Sequence, residues 1–200
     1  MGSRSLAPLA SQVEDAGLRW DGRLRVVAVE RESGRRVVFG APGAPDLPVW
    51  SAVVASCAIP GVFRPVHAHG RTYVDGGVWS PTNIDALALA RGMRVLCLNP
   101  TGSLRPGPAG VSGAFGVLSR SIAHAEALLA RSRGATVMTV NPDGASAAAM
   151  GANLMDPSRR EAVIDAGLAQ GLRLAGAGAR SRRVQRPLAL PAPSGARGGE

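Results

Sequence analysis

Ala55-Ser-Cys-Ala-Ile-Pro-Gly-Val-Phe-Arg-Pro65 and, shortly after it, Arg71-Thr-Tyr-Val-Asp-Gly-Gly77 are the two segments that decide how this chain folds. The β-branched and aromatic residues at 72–74 favour an extended strand, and the two glycines that follow end it. Glycine has no Cβ, so the chain can turn sharply there and another backbone or a ligand can come close. The sequence therefore predicts that Asp75 stands at a strand end, where a general base is well placed.

A strand that ends in Asp-Gly-Gly is more often a simple turn than a catalytic motif, and the second segment alone does not decide between them. The first segment does, because the pair resembles the patatin-like phospholipase family. That family combines an Ala-Ser-x-Ala-x-Pro-Gly-x-Phe-x-Pro run with a strand that ends Asp-Gly-Gly or Asp-Gly-Ala. The resemblance implies that Asp75 is the general base of a Ser-Asp dyad, with Gly76 and Gly77 as the motif turn. It also implies a hydrolase that acts on lipid or carboxylic esters.

Apolar strands alternate with helices along much of the chain, a pattern typical of an α/β layered fold. The strands at 24–29, 93–98 and 135–140 are apolar on both faces, so we expect a largely parallel central sheet flanked by helices. Residues 1–176 resemble the C-terminal portion of a patatin-like domain. Residues 177–200 are rich in Arg, Pro and Gly and are expected to form a disordered tail.

The remaining elements follow from apolar periodicity and from residues that start or stop helices and strands. Helices are predicted at 3–16, 49–58, 84–90 (capped by Asn83), 114–133 and from Pro157 onward (capped by Asp156), and further strands at 35–39 and 62–66.

The serine that a Ser-Asp dyad requires is missing from its usual context. The family holds it in Gly-x-Ser-x-Gly, on a tight turn beside backbone N–H donors. No serine in the sequence has glycine at both flanking positions, and Ser112, Ser132 and Ser146 each have only one. The family's glycine-rich oxyanion loop is absent as well, and Ser56 is interpreted as a packing residue. We therefore expect an incomplete domain that is inactive by itself. A mis-called start codon, a split gene or a degenerate copy would each explain why the upstream part of the domain is missing.

The competing interpretation is a non-catalytic protein that keeps the fold and has lost the chemistry. No cofactor is expected under either interpretation. His67 and His69 could place two imidazoles on one face of a strand, but no third metal ligand is obvious, so no metal site is predicted. No phosphate-binding glycine loop is present either, which argues against a nucleotide cofactor. Asp85 and Glu126 have helical positions typical of solvated charges.

The formal charge of +9 would ordinarily suggest nucleic acid as a partner. The chain has no lysine, however, and its wealth of Arg, Ala, Gly and Pro fits a GC-biased genome. Aromatic residues that could stack on bases make up only 4%, so no nucleic-acid partner is expected. The resemblance to the patatin-like family implies a lipid or ester as substrate instead. The longest uncharged apolar run, 47–63, contains Pro60 and is too short to span a bilayer. The sequence predicts a cytoplasmic protein whose membrane contact is at most peripheral, and indicates no oligomeric state.

Overall fold

The computed structural model describes residues 2–103 and 111–184, without the side chains of residues 111–116 and 178–184. The chain divides into two compact units, Met1–Pro142 and Asp143–Glu200. Both helices and strands are present, so the chain has the mixed α/β character that the sequence predicts.

The helices and strands of the described residues are numbered here in chain order. The α-helices are α1 (Ala7–Asp15), α2 (Val49–Ser56), α3 (Val111–Ser132), α4 (Gly144–Met150) and α5 (Arg160–Val184). The strands are β1 (Val26–Glu30), β2 (Arg36–Phe39), β3 (Val66–Ala68), β4 (Arg71–Asp75), β5 (Arg94–Leu98) and β6 (Thr136–Val140).

The larger sheet of the first unit has the order β2-β1-β4-β3, and every pair in it is antiparallel. The prediction of a largely parallel central sheet is wrong for these four strands. Tight turns explain the two hairpin pairs, because a parallel pair needs a long crossover connection; β1 and β4, in contrast, pair antiparallel across a long intervening segment. Gly34 (φ 66°) turns β1 into β2, and His69 and Gly70 (φ 50° and 71°) turn β3 into β4.

The main core of the larger sheet packs on one face of β1, and Val29 on the other face is buried as well. The buried cluster joins Ala28 of β1, Phe39 and Tyr73 of its neighbours, and Ala52 and Ala55 of α2. The alanines let α2 lie close to the sheet. The rings of the two aromatic residues meet edge to face, with their centroids 5.2 Å apart. A strand in the middle of an antiparallel sheet can thus resemble a strand of a parallel one in sequence.

The smaller sheet pairs β5 with β6, and here the predicted parallel arrangement is correct. Helix α3 lies between these strands in sequence and covers one face of the pair. Its buried face is made of small residues, Ala123, Ala127 and Ala130, which pack near Cys97 and Val137. On the strands, the side chains of Leu96, Leu98 and Met138 alternate with the covered ones and are exposed.

The second unit is helical in its described part. Asp143 caps α4 by accepting a hydrogen bond from Ser146 N (2.9 Å), and Arg173 of α5 donates to the same carboxylate. Asp156 accepts from Ser158 N (3.0 Å) and begins the last helical segment, which confirms the predicted cap. None of the described helices combines the length and apolarity that a membrane span requires.

Several boundaries differ from the sequence prediction. The strand expected at 62–66 forms later, as β3, and the helix expected at 84–90 is only a 3₁₀ turn, Ile84–Ala86. Asn83 makes no cap bond to this turn because its backbone is left-handed (φ 49°). Helix α4 was not predicted. Helix α5 continues to Val184, past the predicted start of the tail at 177, and residues 185–200 lie outside the described residues.

Candidate active site

Asp75 is the last residue of β4, at a point where three elements of the first unit meet. It lies opposite Ala28 of β1 in the sheet register. Its backbone N–H donates to the carbonyl of Ala58 at 3.1 Å, just beyond the end of α2. The Ala-Ser-Cys-Ala and Asp-Gly-Gly segments are therefore joined directly by a hydrogen bond, although they lie far enough apart in sequence to form separate elements.

The carboxylate of Asp75 is half-buried and has one short local bond. Its Oδ1 accepts from the backbone N–H of Gly77 at 2.6 Å, so the side chain caps the 3₁₀ turn Gly76–Val78. Burial raises the pKa of Asp75, and the hydrogen bond from Gly77 opposes that shift in part. Among the described side chains, no serine or histidine is hydrogen-bonded to this carboxylate. The group is thus a carboxylate that is more basic than usual, with one oxygen already engaged.

Both glycines of the motif are required by close contacts rather than by a left-handed backbone. A Cβ on Gly76 would lie 2.4 Å from the carbonyl oxygen of Val27 in β1. A Cβ on Gly77 would lie 2.8 Å from Oδ1 of Asp75 itself. The first glycine lets the turn pass against the sheet, and the second leaves room for the carboxylate. A larger residue in place of Gly76 would push the turn away from β1, and one in place of Gly77 would force the carboxylate of Asp75 to rotate away from its bond.

The surroundings of Asp75 are largely apolar. Cys57 lies close enough that the charge of Asp75 adds to burial in raising the pKa of the thiol. Val78 and Trp79 directly follow the motif turn and are 56% and 51% exposed, and Ile59 is exposed next to Ala58. Exposed apolar side chains thus stand beside the half-buried acid.

The segment after the motif turn is held by side chains from distant parts of the first unit. Glu126 of α3 accepts from the Thr82 hydroxyl (2.6 Å) and from the backbone N–H of Ile84 (2.9 Å). Ser80 is buried, and its Oγ accepts from the backbone N–H of Asn83 (3.1 Å). Sequence reasoning treated Glu126 as a solvated helix charge. That interpretation is wrong, because its carboxylate is bonded to this segment.

A second clamp comes from Arg36 of β2. Its Nη1 donates to Asp85 at 2.6 Å and to the side-chain oxygen of Asn83 at 3.3 Å. The guanidinium carbon also lies 5.4 Å from the ring centroid of Trp79. Burial alone would raise the pKa of Asp85, but the hydrogen bond and charge of Arg36 outweigh burial and lower it. Asp85 had also been interpreted as a solvated charge, and its pairing with Arg36 corrects that reading.

The serines with one flanking glycine do not complete the site in the described residues. The Ser132 hydroxyl donates to Leu129 O, and that of Ser146, in the second unit, donates to Gln170. The side chain of Ser112 lies outside the described part of α3. The most deeply buried serine is Ser119, whose hydroxyl donates to Asn99 Oδ1 (3.1 Å).

The two histidines weighed as metal ligands each have another contact. His67 Nδ1 lies 3.2 Å from the hydroxyl of Thr72, and His69 Nε2 lies 2.9 Å from the backbone carbonyl of Asp46. Within residues 2–103 and the described side chains of 117–177, no three His, Cys, Asp or Glu residues come together as a metal site would require.

Comparison with known families gives one match. The model of the patatin-like phospholipase family matches residues 13–88 of the chain. The matched segment contains β1 to β4, helix α2, Asp75 and the motif turn, and it ends before β5. No curated protein matches the chain. The similarity thus covers less than half of the chain, and it covers the part in which the candidate site lies.

Proposed function

We propose that this chain carries the base of a patatin-like serine acyl hydrolase that cleaves lipid or carboxylic esters. The observation that carries the proposal is the position of Asp75, half-buried at the end of β4 with a raised pKa, inside the segment that matches the family. A raised pKa makes a carboxylate a better proton acceptor near neutral pH. The exposed apolar side chains of Val78 and Trp79 support an ester with a hydrocarbon part as substrate.

In the proposed reaction a serine hydroxyl attacks the ester carbonyl while Asp75 takes its proton. The alcohol leaves with a proton returned by Asp75, and an acyl-serine ester remains. Asp75 then takes a proton from water, which attacks the acyl-serine. Asp75 returns that proton to the departing serine oxygen, so that the acid and the free serine are released. Gly76 lets the turn pass close to β1, and Gly77 leaves room for the carboxylate of Asp75.

The nucleophile of this scheme is not in a Gly-x-Ser-x-Gly context anywhere in the 200 residues. Backbone oxyanion donors are also needed, because losing one such donor costs about 2.7–4 kcal/mol of transition-state stabilisation. We therefore expect the 200-residue chain by itself to be inert towards esters. Turnover requires a polypeptide that supplies the serine and the oxyanion loop together with Asp75.

The test compares the 200-residue chain with the longest in-frame polypeptide that contains it, using p-nitrophenyl butyrate. We expect no turnover by the short chain. If the longer polypeptide includes Gly-x-Ser-x-Gly, it should hydrolyse the ester, and Asp75→Asn should lower kcat by about 10²–10⁴-fold. Asp46→Asn is the matched control, since it removes an exposed carboxylate of the same unit. Asp75-dependent turnover by the short chain would refute the inference that this chain lacks a nucleophile. Full activity of the Asp75→Asn variant of the longer polypeptide would refute the role of Asp75 as general base.

One observation favours the second candidate function, a non-catalytic protein that retains the fold. Asp75 already accepts the N–H of Gly77 at 2.6 Å, as an aspartate with a purely structural role in a turn does. Under this candidate neither polypeptide turns over esters. Asp75→Asn would then have at most a small effect, on stability alone, because the amide oxygen can accept the same hydrogen bond from Gly77 N. A loss of kcat in the Asp75→Asn variant supports the hydrolase. A change confined to the unfolding midpoint, with no turnover by either polypeptide, supports the non-catalytic protein.

A further inference from the structure

A basic groove lies in the first unit, away from the motif turn, between α3 and strand β6. Its volume is about 590 Å³, within the usual range of ligand sites. Three cationic or imidazole side chains of the helix line it, together with Thr139 of the strand, and its floor includes the small residues Ala123 and Ala127. The three helix residues are Arg120, His124 and Arg131.

Helical geometry places these three side chains in one row. His124 follows Arg120 by four residues, which puts the two on one face about 6 Å apart along the axis. Arg131 follows by seven more residues, two further turns along the same face and about 10 Å away. All three residues are exposed. The row thus presents two closely spaced groups at one end and a single arginine at the other.

The described lining of the groove carries no negative charge. None of the described residues that line it is acidic. Among the described side chains, neither Arg120 nor Arg131 takes part in a salt bridge. Glu126, the acid of the same helix, is bonded to Thr82 and Ile84 instead. The positive charge of the groove is therefore not neutralised from within the described part of the chain.

The strand side of the groove offers further polar groups. In the two-stranded sheet β6 pairs with β5 alone, so its other edge has no strand partner among the described residues. Val140 faces β5, because its carbonyl accepts from Asn99 N, and alternation places Val137 and Thr139 on the open edge. Arg131 already donates to the carbonyl of Val137 at 2.7 Å. The backbone of Thr139 is thus next to the groove beyond that contact.

We infer that this groove binds a phosphate group, held at the end where Arg120 and His124 stand one turn apart. Arginine matches phosphate with two parallel N–H donors, and an imidazole N–H adds a third. Among the described side chains, no aromatic one lines the groove, which argues against stacked bases of nucleic acid as the occupant. The phosphate comes either from a lipid headgroup or from a small soluble compound. This site does not depend on Asp75 or on ester hydrolysis.

The test measures binding of inorganic phosphate to the 200-residue chain by calorimetry at low salt, and then binding to vesicles of phosphatidylcholine with and without phosphatidic acid. Arg120→Gln and His124→Gln remove one partner each. We expect each to weaken binding about tenfold or more. Arg133→Gln is the matched control, an exposed arginine beyond the end of the same helix and outside the groove, and we expect less than a twofold change. Circular dichroism confirms that each variant is folded.

Saturable phosphate binding that depends on Arg120 and His124 supports the site. Added dependence on phosphatidic acid in vesicles identifies the source as a lipid headgroup, and its absence identifies a soluble compound. Equal losses for Arg133→Gln would overturn the proposal, because general attraction by a chain of charge +9 would then explain the binding. Absence of binding to both phosphate and phosphatidic acid vesicles would overturn it too. Asp75→Asn should leave all these measurements unchanged, so the outcome is independent of the proposed hydrolase.

Discussion

Replacing Gly76 by alanine tests the close packing of the motif turn against the sheet. The added Cβ would stand 2.4 Å from the carbonyl oxygen and 2.9 Å from the carbonyl carbon of Val27. Both are backbone atoms of the central strand β1, so no side-chain rotation can relieve the overlap. The turn must move away from the strand by about 1 Å, because non-bonded heavy atoms pack at an optimal distance of about 3.5–4 Å.

The expected loss follows from these contacts. Overpacking costs about 1–3 kcal/mol, and weakening one hydrogen bond between β1 and β4 adds about 0.5–1.5 kcal/mol. We therefore expect Gly76→Ala to lower the free energy of unfolding by ~2–4 kcal/mol, a large share of the 5–15 kcal/mol of a typical domain.

The measurement is urea unfolding at 25 °C, followed by tryptophan fluorescence. The three tryptophans, Trp20, Trp50 and Trp79, all lie in the first unit and report on it. Gly77→Ala is the matched control, because its Cβ would meet a side-chain oxygen that can rotate away. It should cost about 1 kcal/mol, the usual worth of the hydrogen bond that the rotation breaks. A Gly76→Ala variant as stable as Gly77→Ala would refute the packing argument.

Two further stability predictions concern the same unit. Arg36→Gln should cost about 1.5–3 kcal/mol near neutral pH by unpairing Asp85. Because the folded pKa of Asp85 is lowered, this contribution is present above its ordinary value of 3.8 and lost as pH falls through the folded pKa. Urea unfolding of both proteins at a series of pH values checks this, and a gap that persists at low pH would contradict it. Tyr73→Phe should be neutral or stabilising by up to about 1 kcal/mol, since the buried hydroxyl has no partner among the described residues. Thermal melting checks that change, and a clear loss would reveal a partner such as a bound water.

Local signals in the sequence were enough to predict several elements of the fold, including the strand that carries Asp75. The predicted strand before Asp75 is confirmed. It could be predicted because its signal is local: three β-favouring residues are followed within a few positions by two glycines. The β1–β2 hairpin follows from the Ser33-Gly34 turn, and the last helical segment from the Asp156 cap. Each of these features depends on residues within about four positions of one another.

Long-range pairing was beyond such reasoning. Strand β1 pairs with β4, which lies more than forty residues later in the chain. The apolar sequence of β1 is compatible with a parallel or an antiparallel neighbour. Arg36 and Asp85 are separated by 49 residues, and Glu126 and Ile84 by 42. Nothing local distinguishes these charges from solvated ones, because their partners are brought to them by the fold of the whole unit. The contact that fixes Gly76 against Val27 is equally invisible without the sheet register.

The bond between Asp75 and Gly77 removes the symmetry that a carboxylate normally has. A free carboxylate offers two equivalent oxygens, and rotation about its last side-chain bond exchanges them. Here Oδ1 is held by a backbone N–H at 2.6 Å, so the two oxygens have fixed and different identities. An incoming proton settles on Oδ2, while Oδ1 keeps the role of carbonyl acceptor. Any group that gives up a proton to this acid must therefore approach from the Oδ2 side, in a direction set by the Asp-Gly-Gly turn.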